Sequence, residues 1–293
     1  MAQTVSHKIQ TAYGTREYKF YSPSSAYNNS PTVVAIHGCK QTGDVFARGS
    51  RLYQAASKYG FNLLLPEQDK NTNPYNCWNW FLPHNQIRMG EASIVVKSIQ
   101  DAQKKYRLNK DKYFVLGMSS GAAMANILMN CYPKMFKAVA SHSGVPYSAT
   151  SNPLLATHVL ENGMLTTPQL TALKGLACGL YAQTSVPALI IQGAKDEVVA
   201  PINAEDLAQQ YKIYNSYSYE DLKVSTRSVE RTDGHNYQVN SWRDRSDKVI
   251  VEEVMIENLK HKWSGGDDSL DYNQSKGPNA TKMIINFFKA NGL

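Results

Sequence analysis

The sequence predicts an α/β protein with a mostly parallel central sheet, helices on both faces and a small helical insertion. Along the 293 residues, short apolar runs alternate with segments in which apolar residues recur every three to four positions. This alternation is the pattern of successive strands and helices. Runs such as residues 32–36 are continuously apolar, as expected of strands covered on both faces. The motif Gly117-Met118-Ser119-Ser120-Gly121 lies between one such run and a segment rich in residues that favour helices.

Strands are predicted where apolar, aromatic or β-branched runs end at glycine, proline or polar clusters. They cover residues 15–21 (an edge strand), 32–36, 61–66, 113–116, 136–140, 187–193, 237–242 and 249–256, of which the last two should pair. Helices are predicted where apolar residues recur every three to four positions and end at stop signals such as Gly60. They cover residues 51–59, 91–106, 122–131, 201–211 and 279–290.

Two segments interrupt this alternation. Residues 67–88 form a long polar and aromatic loop, and loops of this length in a compact domain tend to be functional. Residues 145–183 are broken by prolines and glycines into short pieces, which indicates a small helical lid and not a separate domain. Because no repeat or low-complexity linker divides the chain, we expect residues 1–293 to form a single domain.

Composition and charge exclude several classes of protein. Hydrophobic residues make up 42% and charged residues 19% of the chain, which is typical of a globular protein. No run of 18 apolar residues could span a membrane, and the first eight residues lack the apolar core of a signal peptide. The net charge of +7 is spread along the chain, which argues against a nucleic-acid partner.

The four cysteines are Cys39, Cys77, Cys131 and Cys178. They form no C-x-x-C pair, so neither a zinc site nor a thioredoxin-type motif is expected. Two disulfides are possible with three alternative pairings, and four reduced, buried thiols are the other interpretation. We expect no metal and no cofactor.

The segment around Ser119 has the order strand, G-x-S-x-G and helix, which is the nucleophile elbow of an α/β-hydrolase fold. The serine takes a strained backbone conformation on a sharp turn, so residues two positions away must lack side chains. The following helix would point its N-terminal N–H groups at a developing oxyanion. The alternative is a chance occurrence of the motif in a glycine-bearing loop.

A serine nucleophile needs a base, and in this fold the order along the chain is serine, acid, histidine. His261 follows the last strong strand, where the base is expected. His235 fits a turn better, His158 falls in the lid, and His142 comes too early for the base but could line the pocket.

The acid should follow a late strand, where a carboxylate can reach the imidazole. Asp196 stands three residues after the run 187–193, whereas Glu197 is adjacent and Asp206 lies within a helix, on a predicted solvated face. The oxyanion hole requires two backbone N–H groups, which we predict to belong to Ser120 and Cys39.

With these residues, the chain resembles the poly(3-hydroxybutyrate) depolymerase-type esterases, which are related to the feruloyl and acetylxylan esterases of carbohydrate metabolism. The resemblance extends over residues 15–290 and depends on several motifs in the same order. These motifs are His37-Gly38-Cys39, Cys77-Trp78-Asn79-Trp80-Phe81, the elbow, His142-Ser143-Gly144-Val145-Pro146-Tyr147, the loop of Asp196, His261-Lys262-Trp263-Ser264-Gly265-Gly266 and Gly277-Pro278-Asn279-Ala280.

The resemblance implies Ser119 as nucleophile, Asp196 as acid and His261 as base, together with a Cys39–Cys77 disulfide. Lys260 stands where the family usually has glycine, which places a cation beside the base. Four residues are candidates for substrate contact, with packing as the alternative for the tryptophans; they are Trp78, Trp80, His142 and Trp263.

The function expected from these motifs is that of a serine esterase acting on short-chain hydroxyalkanoate oligomers or on feruloyl or acetyl esters of carbohydrates. A separate polymer-binding module is not expected, so soluble or partly exposed esters are favoured over solid polyester. A secreted or periplasmic protein whose signal peptide has been removed is expected, and a cytoplasmic one stays open. An oligopeptidase-like hydrolase and a non-catalytic binding protein of the same fold are the alternatives, and the sequence does not indicate an oligomeric state.

Overall fold

The computed structural model of the protein describes residues 4–27, 29–182, 184–216 and 222–293. The start of the segment used for the signal-peptide expectation (residues 1–3) and the last residue of the predicted lid (183) lie outside the described residues. The strands are β1 (Val5–Thr11), β2 (Gly14–Tyr21), β3 (Thr32–Ile36), β4 (Asn62–Pro66), β5 (Tyr113–Met118), β6 (Phe136–His142), β7 (Ala188–Gly193), β8 (Lys223–Val229), β9 (Tyr237–Arg243), β10 (Val249–Ile256), β11 (Trp263–Ser264) and β12 (Asn273–Gln274). The helices are α1 (Gly43–Gly49), α2 (Leu52–Tyr59), α3 (Gly90–Tyr106), α4 (Ser120–Cys131), α5 (Ala156–Asn162), α6 (Pro168–Cys178), α7 (Ile202–Ser216) and α8 (Ala280–Ala290).

One large sheet contains β1 to β10 in the order β1-β2-β4-β3-β5-β6-β7-β10-β9-β8. Its six central strands, from β4 to β10, are parallel, and antiparallel strands flank them on both sides. Because parallel strands share one direction, their carboxyl ends meet at one edge of the sheet. The segments that follow β3, β5, β7 and β10 therefore converge there.

The central strands are buried on both faces. In β3, Val34 and Ile36 belong to an apolar cluster shared with α3, α4 and α7, whereas Val33 and Ala35 belong to a cluster shared with α1, α2 and α8. This alternation is the period-two pattern of a strand between two layers of helices. The predicted α/β class, with helices on both faces of a mostly parallel sheet, is confirmed.

The structure corrects the sheet edges. The segment predicted as an edge strand, residues 15–21, pairs with β1 on one side and with β4 on the other. Neither β1 nor β8 is predicted from the sequence, because most of their residues are exposed or half-buried and the strands lack continuous apolar runs. The predicted pairing of residues 237–242 with 249–256 is confirmed by the antiparallel register of β9 and β10.

The helical insertion is formed by a 3-10 turn at Pro153–Leu155 followed by α5 and α6. A disulfide between Cys131 and Cys178 joins the end of α6 to the end of α4. Asn203 on α7 donates its side-chain amide to the carbonyls of Val159 and Leu160, at 2.9 and 3.0 Å. The insertion is thus attached to the sheet edge at which the site is found. None of the described helices is long and apolar enough to cross a membrane.

Candidate active site

Ser119 lies on a sharp turn between β5 and α4, with φ 56° and ψ −124°. A positive φ is strained for a residue that carries a side chain. A Cβ on Gly117 would lie 2.3 Å from the backbone of Gly121, and a Cβ on Gly121 would lie 2.2 Å from the carbonyl oxygen of Ile36. Both glycines of the motif are therefore required by close backbone contacts on either side of the serine.

The turn is held in place by its neighbours. The backbone N–H of Ser119 donates to the carbonyl of His142 at 2.9 Å, and its own carbonyl accepts from Ala123 at 3.0 Å. Ser119 lines a cavity of about 390 Å³ at the carboxyl edge of the sheet, and His261 lines the same cavity. The structure thus brings together the predicted nucleophile and the predicted base.

Asp196 follows β7, and its side chain is buried. Its Oδ1 accepts the backbone N–H groups of Val198 at 3.0 Å and Val199 at 2.9 Å, while its Oδ2 accepts from His261 Nδ1 at 2.8 Å and from Gln192 Nε2 at 3.3 Å. Burial opposes ionisation, but the hydrogen bonds from His261 and the two backbone groups lower the pKa of Asp196 overall. The carboxylate is therefore ionised beside the imidazole at neutral pH.

The relative position of Asp196 and His261 is set by hydrogen bonding between their loops. Lys195 donates its backbone N–H to the carbonyl of Leu259 at 2.9 Å. A Cβ on Gly193 would lie 2.3 Å from that same carbonyl oxygen, so only glycine allows the two loops to approach this closely. The loop after β7 and the loop after β10 consequently form one unit.

Cys39 and Ser120 line the cavity next to Ser119. The backbone N–H of Cys39 forms no hydrogen bond with any residue in the described ranges. Ser120 is the first residue of α4, where backbone N–H groups have no acceptor within the helix. Two backbone donors are thus available near the serine, at the positions predicted for an oxyanion hole.

His37 stabilises the loop that carries Cys39. Its Nε2 accepts the backbone N–H of Gln68 at 3.2 Å, so Nδ1 carries the hydrogen and donates to the carbonyl of Gly38 at 2.8 Å. The side chain is completely buried, and burial lowers the pKa of His37 to about 4. The ring is therefore neutral at neutral pH and has a structural role.

The Cys39–Cys77 disulfide implied by the family resemblance is confirmed. It joins the loop after β3 to the long loop of residues 67–88. Trp78 adds two links, because its indole N–H donates to the carbonyl of His37 at 3.1 Å and its backbone N–H donates to Ser120 Oγ at 3.3 Å. The long loop is therefore fixed to the loop after β3 and to the start of α4.

The long loop is also attached to α3 through Glu91, a buried carboxylate. Glu91 accepts the backbone N–H and the side-chain amide of Asn79, each at 2.7 Å, and the side-chain amide of Gln68 at 2.8 Å. Burial raises the pKa of Glu91, and these hydrogen bonds oppose the shift. Glu91 thus organises the segment that carries Trp78 and Trp80.

The walls of the cavity are mostly apolar. Trp78 and Trp80 line it, and so do residues from the insertion, including Leu160 of α5. Further large side chains on the wall are Phe81, Val198 and Tyr272. A concave apolar site with a few polar groups at one end is the usual form of a small-molecule site.

His142 and Trp263 do not line this cavity, contrary to the expectation that they contact substrate. They stack on each other with ring centroids 4.8 Å apart, and both are fully buried. Trp263 donates its indole N–H to Thr281 Oγ1 at 3.1 Å. Burial lowers the pKa of His142 to about 3, and the electrostatic interaction with the neighbouring His261 acts in the same direction. The pair therefore packs in the core, with Trp263 hydrogen-bonded to α8, and does not face the cavity.

The remaining candidates lie elsewhere. His158 is exposed on α5, and His235 contacts Gln274, with 2.7 Å between His235 Nε2 and Gln274 Nε2. Asp206 is half-buried and not solvated as predicted, because it accepts the backbone N–H of Met164 at 3.0 Å. No three His, Cys, Asp or Glu side chains converge as a metal site requires within the described parts of the chain.

Several residues of the site are not predicted from the sequence. Glu91 and Gln68 contribute buried polar groups. The only local indication of the role of Glu91 is its position at the start of a helix face that is otherwise apolar. Gln192, at the end of β7, is an amide in a buried strand, which also indicates a hydrogen-bonded role. Leu160 and Tyr272 reach the cavity only through tertiary packing, for which the sequence has no local signal.

The sheet order, the elbow and the paired Asp196 and His261 define an α/β-hydrolase fold. The sequence profile described as "Esterase PHB depolymerase" matches residues 16–233, and the chain belongs to this family. The structure is similar to that of an acetyl xylan esterase from Aspergillus awamori, with a TM-score of 0.78, 20% identity and coverage of 98% of this chain and 99% of that one.

Two similar proteins have names that are consistent with membership of this family. The chain is 29% identical over 243 residues to poly(3-hydroxyalkanoate) depolymerase C of Paucimonas lemoignei. This alignment covers 82% of the chain and 56% of the relative. The chain is 31% identical over 245 residues to acetylxylan esterase A of Talaromyces purpureogenus, which covers 79% of this chain and 61% of the relative. The matched region thus spans less than two thirds of the length of either relative.

Proposed function

We propose that this chain is a serine esterase that cleaves carboxylic esters through an acyl-enzyme. The substrates proposed are short-chain hydroxyalkanoate oligomers or acetyl or feruloyl esters of carbohydrates. One observation carries the proposal: Ser119, on its strained turn, and His261, hydrogen-bonded to the buried Asp196, line the same cavity. Membership of an esterase family supports an ester as the bond that is cleaved.

In the proposed first step, the Ser119 hydroxyl attacks the ester carbonyl while His261 Nε2 accepts its proton. Asp196 holds Nδ1 of the ring at 2.8 Å, which fixes the tautomer with a free Nε2 and stabilises the imidazolium. The developing oxyanion would accept the backbone N–H groups of Cys39 and Ser120. Each such donor contributes on the order of 100-fold to 1000-fold in kcat.

In the proposed second step, the tetrahedral intermediate collapses and His261 gives its proton to the departing alcohol. Water then enters and its oxygen attacks the acyl carbonyl while His261 accepts one of its protons. When this second tetrahedral intermediate collapses, the bond to Ser119 Oγ breaks, His261 returns the proton to Oγ, and the acid is released. The acyl group would lie against the apolar wall of Trp78, Trp80 and Leu160. This wall suits a short or aromatic acyl chain.

We also propose that the protein works in an oxidising compartment, outside the cytoplasm. The two disulfides, Cys39–Cys77 and Cys131–Cys178, support this location because such bonds form and persist in secreted and periplasmic proteins.

The function is tested by assaying short 4-nitrophenyl esters with the wild type, with Ser119→Ala and with Ser93→Ala, a half-buried serine on α3 that hydrogen-bonds within its own helix. We expect Ser119→Ala to lower kcat by at least about a thousandfold with an unchanged fold, and Ser93→Ala to retain activity. Activity that persists in Ser119→Ala, or cleavage of peptide anilides without cleavage of esters, would contradict the proposal. Acetylated xylan oligosaccharides, feruloylated sugars and hydroxybutyrate oligomers, assayed in parallel, decide the substrate.

A further inference from the structure

A second, shallow depression of about 440 Å³ lies next to the cavity that contains Ser119. It shares three wall residues with that cavity, namely Val198, His261 and Tyr272. Neither Ser119 nor the two proposed oxyanion donors line the depression. The two spaces therefore adjoin at His261, Val198 and Tyr272 and not at the nucleophile.

Three lysines surround this depression: Lys195, Lys260 and Lys262. They flank the proposed catalytic groups directly, since Lys195 precedes Asp196 and the other two stand on either side of His261. All three side chains are exposed, and none forms an ion pair with any residue in the described ranges. Three ammonium groups are consequently free to bind an anion.

The acidic groups nearby only partly balance these cations. Glu197 and Asp271 line the same depression, which leaves one formal positive charge among its ionisable wall residues other than His261. Asp268 is within electrostatic range of Lys262, but its carboxylate already accepts the backbone N–H of Ser275 at 2.7 Å. The wall residues themselves therefore carry a net positive charge at neutral pH, and Asp268, which does not line the depression, offsets part of it at Lys262.

The depression lies on the leaving-group side of the site, if the proposed function holds. In the proposed reaction His261 donates its proton to the departing alcohol, so that alcohol must lie against the imidazole. The acyl group instead occupies the apolar cavity. A charge recognised beside His261 is thus a charge on the alcohol part of the ester.

We propose that Lys195, Lys260 and Lys262 form a subsite for a carboxylate on the alcohol portion of the ester. An ammonium group attracts a carboxylate a few ångströms away even at a solvated surface, and this attraction weakens with salt. Two kinds of substrate carry such a group: a hydroxyalkanoate oligomer with a free carboxyl end, and an ester on an acidic sugar. The inference depends on the proposed esterase function and specifies its substrate class.

The test compares each anionic ester with its neutral form. One pair is the free acid and the methyl ester of the linear 3-hydroxybutyrate dimer, and the other is acetylated glucuronate and its methyl ester. For the wild type we expect kcat/KM to be about fivefold or more higher for the anionic member of at least one pair at low ionic strength. The pair that shows the preference identifies the source of the carboxylate.

The variants compared are Lys260→Gln, Lys260→Glu and a control, Lys137→Gln. Lys137 is exposed at the amino end of β6, roughly 16 Å along the strand from the site edge. We expect the ratio of anionic to neutral kcat/KM to fall about threefold to tenfold in Lys260→Gln and further in Lys260→Glu, and to stay unchanged in Lys137→Gln. About 0.5 M salt should also lower the wild-type ratio.

The outcomes separate the two proposals. Hydrolysis of the neutral esters with no anionic preference in either pair would overturn the subsite and leave the esterase function standing. A preference that survives Lys260→Glu, or that is lost equally in Lys137→Gln, would also overturn the subsite. No hydrolysis of any of these esters or of 4-nitrophenyl esters would contradict the esterase function itself.

Discussion

The indole N–H of Trp78 donates to the backbone carbonyl of His37 at 3.1 Å, which joins the long loop of residues 67–88 to the first residue after β3. The Cys39–Cys77 disulfide makes the same connection covalently, two residues further along the loop after β3. A backbone donor stabilises an oxyanion only if it is held in place before the charge develops. These contacts should therefore hold Cys39, the proposed oxyanion donor, in place as well as stabilise the fold.

The two disulfides allow positioning to be separated from stability. Replacing both cysteines of either pair, Cys39 with Cys77 or Cys131 with Cys178, should lower the free energy of unfolding by about 2–4 kcal/mol, because the cross-linked residues are 38 and 47 positions apart. Only the first double variant should also lower kcat, by about tenfold or more. Urea unfolding and ester kinetics measure both effects. An equal loss of kcat in the two double variants would contradict the positioning role.

Asp196 and Asp206 provide a matched comparison of carboxylates. Asp196→Asn removes the charge that stabilises the imidazolium and permits the wrong tautomer of His261, so kcat/KM should fall by about 100-fold to 10,000-fold. Asp206→Asn alters only a carboxylate that accepts the N–H of Met164 and should leave kcat/KM within a few-fold of the wild type. Steady-state kinetics on a neutral ester tests both, and activity retained in Asp196→Asn would argue against the assigned acid.

Glu91 should determine stability and the shape of the cavity together. Glu91→Ala leaves three buried N–H donors of Asn79 and Gln68 without their acceptor, which should lower the free energy of unfolding by about 2–4 kcal/mol. KM should rise because the segment carrying Trp78 and Trp80 loses its attachment to α3. The control, Glu205→Ala, changes an exposed residue on α7 and should cost less than about 0.5 kcal/mol. Similar urea midpoints for the two variants would contradict this role.

The sequence predicts the parts of the site whose chemistry restricts residue type locally. Gly117 and Gly121 are recognisable because the turn at Ser119 excludes a Cβ on either side. The stacking of His142 on Trp263 is not predictable in the same way, because it joins two strands about 120 residues apart. An aromatic residue in a loop near the site has the same local sequence pattern whether it faces the substrate or packs behind the base.

The peripheral strands show the same limit at the level of the fold. The buried strand β3 is apolar at every position, whereas β1 has exposed or half-buried residues at all positions but one. Its strand conformation comes from pairing with β2, a non-local interaction that no local pattern encodes. The core of the sheet is thus predictable from the sequence and its edges are not.

The buried histidine behind the site should make stability depend on pH. The native pKa of His142 is lowered to about 3, below its ordinary value of about 6.5, so the unfolded chain binds the proton first as the pH falls. This contribution is fully present above about pH 6.5 and is progressively lost below it, by about 2 kcal/mol between pH 7 and pH 5.

Replacing His142 should therefore flatten the pH profile of stability. His142→Phe keeps an aromatic ring against Trp263 but cannot titrate, so its free energy of unfolding should fall less between pH 7 and pH 5 than that of the wild type. His158→Gln, at an exposed position on α5, should reproduce the wild-type slope. Denaturant unfolding at pH 5, 6 and 7 provides the data, and parallel profiles for the wild type and His142→Phe would contradict a neutral buried His142.

The assignment of Ser119 as the nucleophile is tested directly by covalent labelling. The protein is incubated with a fluorophosphonate, digested, and the modified residue is located by peptide mass spectrometry. We predict one adduct, on Ser119, with loss of esterase activity in proportion to labelling and no adduct in Ser119→Ala. A stoichiometric, inactivating adduct on any other residue, or equal labelling of Ser119→Ala, would contradict it.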